Sequence, residues 1–311
     1  MIPLALVTLT LATFASAGVW SSGRPPECTL PGQRAESGVS NVWERAKAPE
    51  LRHYCDLVAG ATSKLAGNTA MAALALTLAR EAETTLPGHA APKILEGRAL
   101  AALGQKEASL EALRAGKARD PGVLDDPTTL LAWARAVATA GRPAEAMDAY
   151  RALLPRGSSL PSPDRTSAAT EAGLVALALG PPALDDAISA LREVVRQGRD
   201  DAQDVAILAL ALALDRRGDA DEARTVLTRG RGDPRNVFEG ARGKEFVSIA
   251  PWEVPAIVAF ALEGSDPAGA RDAWEQYLEG SPSGPWAVQA RAHLAALAAK
   301  RPAASSRAKV L

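Results

Sequence analysis

Few side chains in this sequence are placed to do chemistry. Its three histidines, His53, His89 and His293, are far apart along the chain, and none belongs to a metal-binding motif. The sequence contains no phosphate-binding glycine loop and no G-x-S-x-G nucleophile motif. It therefore predicts no catalytic residue, no metal and no cofactor, and an enzyme or carbohydrate binder is the least favoured function.

The two cysteines, Cys28 and Cys55, suit one disulfide bond, as expected for an exported protein. Closing a loop of about 28 residues would stabilise the fold by about 3–4 kcal/mol. Two independent buried thiols are the alternative. A zinc site that also uses His53 would lack a fourth ligand.

The first 17 residues predict a signal peptide. Ile2 to Phe14 is an apolar run, and Ala15-Ser16-Ala17 matches a cleavage site, so the mature chain would begin at Gly18. No basic residue precedes the run, and an uncleaved membrane anchor therefore stays open. We expect a periplasmic or secreted protein of a bacterium, with no integral membrane span after cleavage.

The amino-acid composition restricts the class of protein and the class of fold further. With 35 basic and 36 acidic side chains, the chain lacks the basic excess of a nucleic-acid binder. Hydrophobic residues make up 47 % and aromatic residues only 4 %. Ala and Leu dominate, which favours closely packed helices, and alternating strand patterns are nearly absent.

A glycine recurs at steps of 37, 37, 39, 38 and 46 residues. The members of this series are Gly67, Gly104, Gly141, Gly180, Gly218 and Gly264. Seven residues before each lies a position that is small in five of the six cases, as at Gly97, Ala134 and Gly173. The pattern predicts antiparallel helix pairs: the recurring glycine ends a first helix A, and the small residue lets a second helix B approach it.

The stretches 131–155 and 207–227 resemble the tetratricopeptide repeat (TPR) family, and the resemblance covers about residues 50–282. It implies a right-handed all-α solenoid of about six hairpins, because one pair cannot bury its own apolar face. The period exceeds 34 residues and the aromatic residues expected in helix A are mostly aliphatic, so an unrelated α-hairpin array is the alternative.

The TPR resemblance also implies where a partner would bind, namely along the concave surface formed by the A helices. Alignment by the recurring glycines places the following side chains near that surface: Lys64, Arg98, Thr128, Arg135, Thr139, Asp215 and Arg216. Arg98 and Arg135 occupy equivalent positions in adjacent units, with Lys64 one unit earlier. They would bind a carboxylate through bidentate bonds, and the alternative is that they are solvated helix-face charges.

Aromatic residues cluster near the C-terminus. Phe260, Trp274 and Tyr277 are expected in the core. Phe238, Phe246 and Trp252 lie in or beside an insert, 229–250, and would either contact apolar side chains of a partner or join the core.

The predicted organisation is a signal peptide (1–17), an irregular lead-in (18–48), the solenoid (49–300, with a capping helix from Pro285 to Lys300) and a disordered basic tail (301–311). The favoured function is an exported scaffold that binds a peptide or protein in the concave groove. A structural subunit of a cell-envelope assembly, held through lateral surfaces, is the alternative.

Overall fold

A computed structural model describes residues 25–28, 49–67, 69–197 and 201–299 of the chain. The predicted signal peptide and basic tail, and the lead-in apart from residues 25–28, lie outside these ranges. Within them the protein is helical and contains no strand. None of the described helices is long and apolar enough to cross a bilayer.

Within the described ranges, twelve helices form six A/B hairpins, and an insert separates the fifth from the sixth. The A helices are α1 (Pro49–Gly67), α3 (Ala90–Ala102), α5 (Pro127–Thr139), α7 (Ser162–Leu179), α9 (Asp201–Arg217) and α13 (Glu253–Leu262). The B helices are α2 (Ala72–Thr85), α4 (Lys106–Arg119), α6 (Pro143–Leu153), α8 (Leu184–Gln197), α10 (Ala220–Leu227) and α14 (Pro267–Gly280). Three further helices are α11 (Pro234–Glu239) and α12 (Ala241–Ile249) in the insert, and α15 (Ala287–Ala299) at the C-terminal end. The predicted TPR-like all-α solenoid is confirmed.

Glycine and small residues build the hairpins as the repeat pattern predicts. Gly141 ends helix A of its unit with φ +73°, where a side chain would be strained, and Arg142 N–H then donates to the Val137 carbonyl. At the crossing of α7 and α8, a Cβ on Gly173 would lie 2.4 Å from Leu191 Cγ. The pair α3 and α4 approaches equally closely, because a Cβ on Gly97 would lie 2.6 Å from Leu113 Cγ.

The A helices form the inner face of the array. Helix α3 packs against α1, helix α9 packs against α7, and helix α13 packs against both α9 and α7. Comparable packing between successive B helices is not found in the described part of the chain. An array whose A helices are closer together than its B helices curves with the A helices inside. The A-helix face is therefore the concave face.

Charged side chains join successive hairpins at intervals close to the repeat length. Arg119 donates two bonds to Glu83, 36 residues away, at 2.6 and 2.8 Å. Arg151 pairs with Asp186, 35 residues away, at 2.7 Å. Such exposed pairs contribute little each, but they tie neighbouring units in one register.

The N-terminal end is held by a cross-link. Cys28 and Cys55 form a disulfide bond. The Tyr54 hydroxyl donates to Glu27 at 2.7 Å, and the His89 ring lies 3.4 Å from the same carboxylate. Residues 25–28 are thereby fastened to α1 and to the start of α3.

Candidate functional site

The open part of the A-helix face belongs to α1, α3 and α5. In α5 the side chains of Thr128, Ala132, Arg135 and Thr139 are half-exposed at spacings of four, three and four residues. These spacings describe one stripe of a helix. Helix α5 thus presents a mixed polar and small stripe on the concave side, while its neighbours Trp133 and Val137 are buried.

Arg135, one of the two predicted anchors, already has a partner. Its guanidinium binds Glu171 of α7 through Nη2 at 2.8 Å and through Nε at 3.0 Å to both carboxylate oxygens. The Tyr150 hydroxyl donates to the same carboxylate at 2.9 Å. Burial alone would lower the pKa of Arg135, but the charge of Glu171 outweighs this and raises it. The carboxylate that Arg135 binds in this structure is therefore supplied by the chain itself, and not by a partner as predicted.

Arg98 is in the opposite situation. It is half-buried on α3, and no hydrogen bond or ion pair joins it to another of the described residues. Burial lowers the pKa of Arg98, and the charges of Asp126 and Asp164 offset this only in part. Asp126 is itself engaged, because it caps α5 by accepting bonds from the amide and hydroxyl of Thr129 at 2.8 Å each.

The repeat explains why these two arginines differ. Glu171 lies two residues before Gly173, the small residue at the crossing of its hairpin. The equivalent position in the preceding hairpin, two residues before Ala134, is Ala132. At this position the next unit supplies Arg135 with a carboxylate, whereas the equivalent residue for Arg98 is an alanine. A partly buried cation whose charge is compensated only in part is costly, so Arg98 marks the place on the A-helix face best suited to an anionic group.

Lys64 and Thr139 offer weaker binding groups on the A-helix face than Arg98 does. Lys64 is half-buried near the end of α1 and has no polar partner among the described residues. The Thr139 hydroxyl donates back to the Arg135 carbonyl at 3.0 Å, so it is satisfied within its own helix. Trp252, at the start of α13, remains 41 % exposed.

The C-terminal half of the A-helix face is closed by the chain itself. Helix α12 of the insert packs against α5, α7 and α9. Phe238 and Phe246 are buried, with exposures of 6 % and 1 %. Of the two alternatives left open for these aromatic residues, contact with a partner or a place in the core, the burial of both side chains favours the core, because the insert folds inward.

The C-terminal helix α15 covers the two polar residues predicted at the end of α9. Asp215 receives bonds from His293 Nε2 and Gln289 Nε2, both at 3.0 Å. Arg216 is buried, binds Glu253 at 2.6 Å and lies 4.6 Å from the Trp286 ring. The placement of Asp215 and Arg216 on an open groove is therefore wrong.

His293 is the centre of this C-terminal contact. Its second ring nitrogen lies 2.7 Å from Glu263, and its ring stacks on Trp274 at 4.8 Å. Burial alone would lower the pKa of His293, but the bonds to Asp215 and Glu263 raise it to about 9. The protonated ring joins α9, α14 and α15, which is a structural role.

A second concavity lies on the outer side, where sequence patterns gave no signal. It has a volume of about 500 Å³ between α6 and α8, beside the short helical turn Leu154–Ser159. Its wall includes Met147, Leu153 and Leu160, and the Arg151–Asp186 pair lies at its rim. The turn at 154–159 separates the two B helices, which opens the cleft.

This arrangement of A/B hairpins around a concave A-helix face is that of a TPR-like α-solenoid. Several solved TPR proteins are similar to it. YrrB, described as a TPR protein with an unusual peptide-binding site, gives a TM-score of 0.39 at 14 % identity, over 69 % of this chain and 97 % of YrrB. A thermophilic TPR protein of Thermus thermophilus gives 0.36 at 18 % identity, over 68 % and 99 %.

The C-terminal part of a TPR repeat-containing protein from Cytophaga hutchinsonii gives a TM-score of 0.43 at 12 % identity, over 75 % of this chain and 98 % of that one. At these values the similarity concerns the repeat design and not a ligand. No family model matches the sequence, and no curated protein is significantly similar to it.

Proposed function

We propose that this chain is an exported, non-catalytic scaffold that captures a protein partner on the open part of its A-helix face, formed by α1, α3 and α5. Arg98 would bind an acidic side chain or a C-terminal carboxylate of that partner. The observation that carries the proposal is the half-buried guanidinium of Arg98 without a polar partner among the described residues, one repeat from an arginine that has one.

Charge and burial favour a carboxylate as the group that Arg98 binds. A guanidinium presents a planar fork of donors that matches a carboxylate, and such charge-assisted bonds contribute about 1.5–3 kcal/mol each. Ala132, at the position that holds Glu171 in the next unit, leaves room on the same side. Arg135 would act by keeping α5 and α7 in register, since Glu171 binds its Nε and Nη2.

Export is supported by the disulfide between Cys28 and Cys55, because such bonds persist in oxidising compartments. The predicted signal peptide agrees with it. Together they favour the bacterial periplasm or the extracellular medium as the place where the partner is met.

A peptide-display selection tests the carboxylate site directly. The full mature chain is used as bait, and selected peptides are synthesised and titrated against the wild type, Arg98→Ala and Arg114→Ala. Arg114 is an exposed arginine on the outer helix α4 and serves as the matched control. We expect acidic peptides or free C-termini to be enriched and to bind Arg98→Ala at least tenfold more weakly, with unchanged affinity for Arg114→Ala.

Salt dependence gives a second readout. Affinity for the wild type should fall as ionic strength rises, and the slope should be smaller for Arg98→Ala. Selected peptides that bind both arginine variants as well as the wild type would contradict a carboxylate site at Arg98.

The chain's own insert fills the C-terminal half of the concave face. This favours a second candidate function, a structural subunit held through its outer surfaces. In that case the cleft between α6 and α8 would take part, and Ser189→Trp, which fills the cleft from its wall, would abolish capture of a partner. Arg98→Ala would then have no effect. The two variants therefore separate the two functions.

A further inference from the structure

The insert between the fifth and sixth hairpins occupies the place where a ligand of the A-helix face would lie. Helix α12 packs against α5, α7 and α9, which are A helices of three successive units. Comparable packing against a B helix is not found in the described part of the chain. The insert is also outside the repeat pattern, since it lengthens one step of the glycine series to 46 residues.

Helix α12 meets this surface as an amphipathic ligand would. Phe246 and Ile249, three residues apart, are buried, whereas Lys244 and Glu245 are exposed. Gly243 is buried against the backbone of α11. One apolar face therefore enters a groove between helices and one polar face points to solvent. This is the helix-in-groove mode by which many proteins bind a helical segment of a partner.

The groove beneath α12 is largely apolar. In α7 every residue from Ala168 to Leu177 is buried, and all but Thr170 and Glu171 are apolar. In α9 every residue from Val205 to Leu214 is buried and apolar. Helices buried on all sides need cover on the inner as well as the outer face. A helix with the apolar spacing of α12 supplies that cover on the inner face.

Helix α12 is held against the A helices by apolar contacts, and the turns that precede it contain glycine. Among its described side chains, the Ser248 hydroxyl bonds locally to the Glu245 carbonyl, and no polar bond to α5, α7 or α9 is seen. Nine residues are too few for a stable isolated helix, so α12 depends on the groove. Gly232, with φ +76°, lies in the turn before α11, and Gly240 lies between α11 and α12.

We propose that the C-terminal half of the A-helix face is a helix-binding groove that α12 occupies within the chain, and that an amphipathic helix of a partner protein exchanges with it. The partner helix carries bulky apolar residues three positions apart, as Phe246 and Ile249 are, and polar residues on its other face. This site is separate from Arg98 and takes apolar side chains where Arg98 takes a carboxylate.

Exchange is measured with the chain's own insert as the probe. A fluorescein-labelled peptide of residues 234–250 is titrated by anisotropy against the full chain and against Phe246→Ala. The substitution weakens the internal helix without altering α5, α7 or α9. We expect the peptide to bind Phe246→Ala at least tenfold more tightly than the wild type, and a peptide with both apolar positions changed to Ala to bind neither.

Two controls keep the result interpretable. Lys244→Ala, on the exposed side of the same helix, should leave peptide affinity at the wild-type value. Circular dichroism checks that Phe246→Ala is folded, and Ile249→Ala replaces it if it is not. Folded variants that bind the peptide no more tightly than the wild type would overturn the proposal. Arg98→Ala should not change this binding, so this proposal and the carboxylate site can fail separately.

Discussion

Arg98 and Arg135 stand at equivalent positions one repeat apart, and replacing each with Met should have unequal consequences for stability. In Arg135→Met the carboxylate of Glu171, which is 2 % exposed, loses the one cation that pairs with it among the described residues, together with three polar contacts. In Arg98→Met no polar bond between described residues is lost, and a partly desolvated charge is removed.

The size of the expected loss in stability follows from the geometry of the Arg135–Glu171 pair. Two unit charges about 4 Å apart interact by about 4 kcal/mol at an effective dielectric constant of 20, and breaking a fully buried pair costs about 3–5 kcal/mol. The Arg135 side chain is 35 % exposed, so solvent screening reduces the loss. We expect Arg135→Met to lower the free energy of unfolding by about 2–3 kcal/mol and Arg98→Met to change it by less than about 0.5 kcal/mol.

Urea unfolding followed by circular dichroism at 222 nm measures both values. With an m-value of about 3 kcal/mol/M, the Arg135→Met midpoint should fall by nearly 1 M. The double variant Arg135→Met/Glu171→Leu should recover most of the loss, because no unpaired charge remains, although Tyr150 loses its acceptor. Equal midpoints for the two single variants would refute the assignment of Arg135 as paired and Arg98 as free.

Two further predictions concern the ends of the array. Because the pKa of His293 is raised to about 9 in the fold and is about 6.5 when unfolded, its contribution of about 3 kcal/mol is complete below pH 6.5 and is lost as the pH rises to 9. The difference in melting temperature between the wild type and His293→Gln should therefore be large at pH 6 and small at pH 10, and a constant difference would contradict the pairing with Asp215 and Glu263. The chain expressed with its native N-terminus in a bacterial host should have the intact mass of Gly18 to Leu311 with one disulfide bond, and retention of the first 17 residues or free alkylation of both thiols would exclude this maturation.

Helix pairs could be predicted because their determinants are local. Gly141 and Gly218 end A helices through a positive φ that other residues rarely adopt, and Gly97 and Gly173 mark crossings where a methyl group would not fit. These requirements act within about 20 residues of the chain. A single sequence displays them directly, without knowledge of the folded array.

The candidate site was predictable only in part. Its arginines were found from repeat position, but whether each has a paired carboxylate depends on a residue in the next unit, as Glu171 shows for Arg135. One signal for the closed half of the groove was present in the sequence. Residues 205–214 are apolar on every side of the helix, and a helix of this kind is covered on both faces.

The sequence by itself determined about six hairpins, the glycines that end their A helices and the small residues at their crossings, because helix periodicity and turn chemistry are short-range. Only the tertiary structure decided what covers the A-helix face. The direction of the insert and of α15 depends on the curvature of the whole array, which sums small rotations between units. Residues such as Trp286 and Leu177, which are 109 positions apart and joined by a 2.8 Å hydrogen bond, meet only because that curvature brings them together.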